Sequence, residues 1–321
     1  MASFEKHKNS CQSEKYAEKF SVVSHIHPKD YIFEYKIDKN PSPDLLQRDE
    51  NETRSYFEDG AYSCRKLIGL LEEYNLFPAD KPLELLEFAS GYGCVSRHLA
   101  TNKNIHLTSC DIHPAAVEFI QNELGVDSVL SAAQPENLKI NKKFDVIFAL
   151  SFFSHMPDAT FGKWLMTLYS LLRPGGHLIF TTHGVDAYRA VNMPPPVGDN
   201  WSVSTTGCWF YAGSEQKDLP GAEYGISLVP FEYATRLLND LNCGQLIRFE
   251  RGAWWQGGQD LFIVRSEDVA FHTPTQAQLM QPMQSEINHL RSDISIIKHS
   301  TSWHITRPLR AFRKKLKKIK T

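Results

Sequence analysis

The chain has 321 residues, 42% of them hydrophobic and 22% charged, with a formal net charge of −2. Those fractions belong to a globular protein and exclude disordered and collagen-like chains, and no stretch approaches the ~18 consecutive apolar residues of a membrane-spanning helix. The polar start MASFEKHKNS has no apolar leader core and the six cysteines form no C-x-x-C pair, so the expected setting is the cytoplasm, with neither a zinc site nor a disulfide framework.

Residues 1–55 read as a polar, irregular segment, with the turn cluster NPSPD at 40–44. From Tyr56 to Leu76 the apolar residues Leu67, Leu70, Leu71 and Tyr74 recur at helical spacing, and Pro78 stops that helix. Strand and helix patterns then alternate. LELLEFA (83–89) reads as a buried strand, followed by a helix over 95–100 and the strand IHLTSCD (105–111). Pro114 opens a helix that Gly125 closes. DSVLSA is a short strand, and FDVIFALSF (144–152) is a strand apolar enough to be covered on both faces. A helix over 158–172 leads through the turn Pro174-Gly175-Gly176 into the strand HLIFTTH (177–183). This alternation predicts an α/β fold with a doubly wound, mostly parallel sheet.

The alternation pauses over 184–230, which carries Trp201, Trp209, Tyr211 and Tyr224 and reads as a cap over the substrate. It resumes with a helix over 231–241 and strands near 245–251 and 259–266. GAWWQGG between these strands is too short for a crossover helix, so they should pair antiparallel. Met283, Ile287, Leu290, Ile294 and Ile297 form a heptad seam in a short helix over 275–300, a device for a homo-oligomer or for docking on the body. The last segment, 301–321, is basic and amphipathic: eight Lys or Arg with no acid between 307 and 321 flank the stripe Ile305, Leu309, Phe312, Leu316 and Ile319. The body is correspondingly acidic, which argues against nucleic acid as its partner and gives the tail an anionic partner of its own, such as the inner face of a membrane.

The stretch LLEFASGYGCVSRHL carries the chemistry. A strand ends at Glu87, and Gly91 and Gly93 let the following loop come close to a ligand. Asp111 ends the next strand, where an acid suits a ribose diol. A dinucleotide fingerprint would need a third Gly where Ser96 stands, and Glu87 would repel a pyrophosphate. S-adenosylmethionine, with its ammonium and sulfonium, is helped by such an acid.

At this point the sequence resembles the class I S-adenosylmethionine-dependent methyltransferases, over roughly residues 60–266. EFASGYG resembles the first family motif, CDIHPAAVEF the second, FDVIFALSFFSHMPD the fourth-strand motif and LLRPGGHLIFTTHG the fifth-strand motif. The resemblance implies a seven-stranded Rossmann-like sheet ending in an antiparallel hairpin, over a methyltransferase domain at 56–268. It implies cofactor contacts from Glu87, Ala89, Gly91, Gly93, Asp111, Ile112, Ala133, Gln134 and Ser151. Ala89 departs from the usual Gly, and the acid often found after the third strand is missing from SAAQPENL, which leaves adenine to backbone amides near Ala132 and Ala133 or to Gln134.

Methyl transfer needs alignment, plus a base when the nucleophile is a hydroxyl. His155, just past the fourth strand, and His183, ending the fifth, are the expected bases, and no metal is called for. SFFSH stands where nucleic-acid amino-methylating enzymes carry Pro-Pro and an aromatic residue. STSWHITRPLR resembles a short segment near the C-termini of bacterial glycosyltransferases and methyltransferases of surface-polysaccharide assembly, with His304 replacing an Arg. That resemblance implies O-methylation of a glycan or lipid-linked glycan. A soluble small-molecule methyltransferase and a non-catalytic cofactor-binding scaffold remain as alternatives.

Overall fold

A computed structural model of the chain describes residues 11–34, 45–184, 187, 201–213, 216, 219–255 and 257–267. Its strands are β1 (Leu83–Phe88), β2 (Ile105–Asp111), β3 (Asp127–Leu130), β4 (Phe144–Ala149), β5 (Leu172–Thr182), β6 (Ser202–Val203), β7 (Trp209–Tyr211), β8 (Ile226–Leu228), β9 (Gln245–Trp254) and β10 (Gln259–Arg265). Its helices are α1 (Cys11–Phe20), α2 (Leu45–Glu73), α3 (Ser96–Leu99), α4 (Pro114–Glu123), α5 (Asp158–Ser170) and α6 (Phe231–Asp240). Seven strands form one sheet in the order β3-β2-β1-β4-β5-β10-β9, and β6, β7 and β8 form a small antiparallel sheet. The first five strands of the large sheet pair parallel, and β10 runs antiparallel to both of its neighbours. The predicted doubly wound α/β architecture and its terminal hairpin are therefore present.

Side chains alternate across the strands, so each strand feeds two cores. Leu86 and Ile147 face the helices α5 and α6, where Phe161, Trp164, Leu168 and Leu238 cover them. Leu85, Val146 and Phe148 face α2 and α4, against Leu67, Leu71, Phe119 and Ile120. Each such buried side chain contributes about 1.5–3 kcal/mol, which holds the helices on the two faces of the sheet. The chain winds outward from β1 in one direction and restarts at β4 in the other, opening a crevice above the strand ends at that switch.

Four expectations are corrected. Residues 1–55 are not uniformly irregular: α1 is helical, residues 31–34 form a helical turn, and α2 begins at Leu45 rather than Tyr56. The reason is a third core, in which Tyr16, Ala17, Ile26 and Phe33 bury against Tyr56 and Phe57. Gly60 in α2 allows this close packing, since a Cβ there would collide with the carbonyl oxygen of Cys94 and the ring of His98. The fourth strand ends at Ala149, not at residue 152, because Ser151 turns the chain with φ +63°. Pro174-Gly175-Gly176 is not a turn before β5 but lies inside it, where the pairing with β4 slips between Phe144 and Val146. The hairpin turn between β9 and β10 is shorter than GAWWQGG, since Trp254 already pairs with Gln259. The heptad helix at 275–300 and the basic tail at 301–321 lie outside the described residues.

Candidate active site

A cavity of about 780 Å³ opens above the strand ends of β1, β2, β4 and β5, within the roughly 300–1,000 Å³ usual for small-molecule sites. One half is built by β1, β2 and their following loops. Ala89, Gly91 and Gly93 all take positive φ, at +59°, +57° and +80°. The turn aims the Gly91 N–H at Asp111, which accepts it on Oδ2 at 2.8 Å. The other carboxylate oxygen accepts from the backbone N–H of His113 at 3.0 Å and lies 2.8 Å from His113 Nδ1. Asp111 is 6% exposed, held at the cavity wall by these bonds.

Glu87 is 4% exposed at the end of β1. Burial pushes its carboxyl up from the ordinary 4.5 to about 8, opposed by the Ser96 hydroxyl, while Asp111 nearby adds to the rise. Ser96 donates to Glu87 Oε2 at 2.6 Å and itself accepts from Ser109 at 3.1 Å. A buried acid with so high a pKa is poised to receive a cationic ligand group, which would return it to the carboxylate form.

An N-terminal strap closes this half. Arg97 of α3, 2% exposed, donates from Nη1 to the carbonyls of Val23 and His25 at 2.8 and 3.0 Å. Its Nε reaches the Gly93 carbonyl at 3.1 Å and its Nη2 the Tyr56 hydroxyl at 3.0 Å. Tyr56 donates to Asp30 Oδ2 at 2.6 Å, and Asp30 Oδ1 caps the helical turn by accepting from the N–H groups of Ile32 and Phe33. Tyr31 and Ile32 thereby line the cavity, with Ile32 over Gly91. Sequence reasoning missed these strap residues. The one available signal was Asp30 as a helix cap.

The other half is built by the segments after β4 and β5 with the insertion. His155, 6% exposed, has its Nδ1 2.7 Å from the carbonyl of Gly225; a carbonyl only accepts, so Nδ1 donates, and in the neutral form of the ring Nε2 is the accepting nitrogen. Tyr224 stacks on this ring at 4.5 Å and 11°. His183 lies edge-on to it, centroids 5.9 Å apart. Gln259 of β10 donates to Ser151 Oγ at 2.6 Å, accepts from Thr181, and stands 3.4 Å from His183 Nε2. Thr181 in turn accepts the Ser151 N–H at 2.8 Å, so the strained Ser151 turn is pinned from two strands.

Glu87, Ala89, Gly91, Asp111, Ile112, Ala133, Ser151, His155 and His183 thus line one cavity, Ser151 in its second half beside Gln259. Gly93 does not. A Cβ there would meet Leu124 and Ile120, so this glycine serves the packing of the loop on α4. Gln134 does not line it either: it precedes the short 3₁₀ turn Pro135–Asn137, and Ser131, Ala132 and Ala133 take its place at the wall. Trp201, Trp209 and Tyr211 do not line the cavity; they pack in a small core with Ala187 and Leu228. The insertion reaches the cavity instead through Gln216, Leu219, Pro220, Glu223, Tyr224 and Ile226.

Residues 86–178 match the family model described as a methyltransferase domain. The chain is 26% identical over 165 residues to the tRNA N(3)-methylcytidine methyltransferase trm141 of Schizosaccharomyces pombe, covering 47% of this chain and 62% of that protein. It is 30% identical over 119 residues to the malonyl-[acyl-carrier protein] O-methyltransferase of Calditerrivibrio nitroreducens, covering 37% of this chain and 45% of that protein. The chain thus spans less than two thirds of the length of these relatives. Among solved structures, magnesium protoporphyrin IX methyltransferase from Synechocystis PCC 6803 with bound SAH aligns with a TM-score of 0.46 at 13% identity, over 73% of this chain and 93% of that one.

Proposed function

We propose that this chain is an S-adenosylmethionine-dependent methyltransferase that acts on a hydroxyl, with a glycan or lipid-linked glycan as the acceptor class. One observation carries the methyl-transfer part of the reading: a single cavity holds two strand-end acids, Glu87 and Asp111, together with His155, whose Nδ1 donates to Gly225. The methyltransferase-domain match over 86–178 covers the strand ends that supply both acids and His155.

The residues fit the cofactor chemically. Glu87 offers a buried carboxyl to a positive group, Asp111 offers acceptors to a diol, and the Gly91 turn admits close approach of the loop. When bound, S-adenosylmethionine supplies an electrophilic methyl group on a sulfonium. His155 Nε2 accepts the proton of the acceptor hydroxyl, and the Gly225 carbonyl stabilises the imidazolium that results. Tyr224 holds the ring plane, and His183, Gln259 and Ser151 keep the floor of the acceptor half polar and rigid.

Among the described residues no helix is long and apolar enough to cross a membrane. We assign the basic tail a reversible contact with the inner membrane face, where a lipid-linked acceptor would be found, and the heptad seam a homo-oligomer. The test of function is incubation with methyl-labelled cofactor and extracts separated into lipid, glycan and small-molecule fractions. Label in the glycan or lipid-glycan fraction, lost on deletion of 301–321, supports the reading. Label in small molecules alone, indifferent to that deletion, supports a soluble small-molecule enzyme. Cofactor binding without label in any fraction supports a scaffold.

A further inference from the structure

We infer that the acceptor half of the cavity binds an uncharged sugar ring, with Trp255 as its stacking platform and with Glu223 excluding anionic acceptors. The inference rests on the hydroxyl-acceptor reading above and names the residues that would select the acceptor.

Two adjacent tryptophans have opposite environments. Trp254, the last residue of β9, is fully buried, donates from its indole N–H to Ser63 at 3.1 Å and packs against Phe148 and Tyr62. Trp255 is 37% exposed, lines the cavity and takes φ +47°. A bulky side chain in the left-handed region is a strained arrangement that persists only where its surroundings impose it. Here Gly252, at φ +62°, donates its N–H to Asp260 Oδ1 at 2.7 Å, and Gly258 donates to the Trp255 carbonyl at 3.2 Å. The turn is fixed from both sides and presents the indole to the cavity mouth instead of the core. A wide indole face at a wet cavity mouth suits a ring with an apolar face and polar edges.

The charges narrow the ligand. Asp30, Asp59, Glu87, Asp111 and Glu223 line the cavity, and among the described residues no Lys or Arg does. Asp30 is held by Tyr56 and the helical turn, and Glu87 and Asp111 belong to the cofactor half. Glu223, next to the Tyr224 that stacks on His155, is the acid of the acceptor side, with Gln216 as a neutral donor and acceptor in the same cavity. Carboxylates accept from sugar hydroxyls but repel a carboxylate or phosphate on the acceptor. An ammonium acceptor would be attracted, yet the same acids would keep it protonated, which removes the lone pair that attacks a methyl group. A neutral polyhydroxyl ring meets all three demands: stacking, hydrogen bonding to acids, and a nucleophile that His155 can deprotonate.

The test uses the full chain saturated with S-adenosylhomocysteine, with saturation-transfer NMR and calorimetry on methyl β-glucoside, methyl α-mannoside, methyl β-galactoside and methyl β-glucuronide. At least one neutral pyranoside is expected to bind at least tenfold tighter than the glucuronide. Trp255→Ala should weaken that binding tenfold or more and Trp255→Phe less, with affinity for S-adenosylhomocysteine within threefold of the parent. Glu223→Gln should raise glucuronide affinity tenfold or more. No binding of any neutral pyranoside, equal binding of the glucuronide, or a Trp255→Ala chain that binds as the parent does would overturn the inference. So would hexylamine binding more tightly than every pyranoside. Failure to bind S-adenosylhomocysteine would instead count against the methyltransferase reading itself.

Discussion

His155 donates its Nδ1–H to the carbonyl of Gly225 at 2.7 Å, a bond that joins the segment after β4 to the entry of β8. In the neutral imidazole this makes Nε2 the accepting nitrogen, in a ring that Tyr224 holds by stacking. His155→Ala is therefore expected to lower turnover about 100-fold or more, with cofactor affinity within threefold of the parent. Steady-state rates on the labelled acceptor, with calorimetry alongside, check this. Near-normal turnover would return His155 to a purely structural role and make His183 the base to test.

Glu87 makes stability and cofactor binding pH-dependent in opposite ways. Its folded pKa is raised from the ordinary 4.5 to about 8 by burial, so it favours the fold when protonated. That contribution is full below the unfolded value and is lost as pH rises through about 8. Relative to the parent, Glu87→Gln should gain stability progressively over this window, read as the difference in denaturant midpoints at pH 5 and pH 9. A cationic ligand reverses the preference, so cofactor binding at pH 7 should release close to one proton from this site. Calorimetry in buffers of different ionisation enthalpy measures the release, which should vanish in Glu87→Gln.

Arg97 places its guanidinium on Val23, His25, Gly93 and Tyr56, so it couples the cofactor loop to the N-terminal strap. Arg97→Met strips these acceptors, two of them part-buried, of their donor, at a cost of about 3 kcal/mol. Hydrogen exchange should show amides over 22–34 opening first, together with weaker cofactor binding. Uniform destabilisation with an unchanged exchange pattern in the strap would contradict the coupling.

Ala89 holds φ +59°, a conformation costing an L-residue roughly 1–2 kcal/mol, part of which glycine loses again through unfolded-chain entropy. Ala89→Gly should therefore be neutral to stabilising by up to about 1 kcal/mol, whereas Ala89→Val should be clearly destabilising. Denaturant titration of the three chains decides it.

The sheet was legible because strand and helix patterns alternate along the chain and β4 is nearly all apolar, which leaves few alternatives to a doubly covered parallel sheet. The cofactor half was legible for a related reason: Glu87, Gly91 and Asp111 sit at strand ends, where position along the chain nearly determines position in space. The strap was not legible, because Asp30, Tyr31 and Ile32 reach the cavity through Arg97 and Tyr56, contacts between segments far apart in the chain. The insertion was legible only in part. Trp201, Trp209 and Tyr211 have the composition of a ligand platform, but a three-stranded sheet needs a core of its own and takes them. Trp255 hides in GAWWQGG, where only the backbone sign at one residue separates a core tryptophan from one at the cavity.

The central claim is that the strand-end acids bind S-adenosylmethionine, and calorimetry on the parent and Asp111→Ala chains tests it most directly. Charged hydrogen bonds are worth about 1.5–3 kcal/mol each, so the account predicts micromolar-range binding for the parent and a loss of roughly 10- to 100-fold in the variant. Unchanged affinity in Asp111→Ala, or tight binding of NADH in place of S-adenosylmethionine, would contradict it.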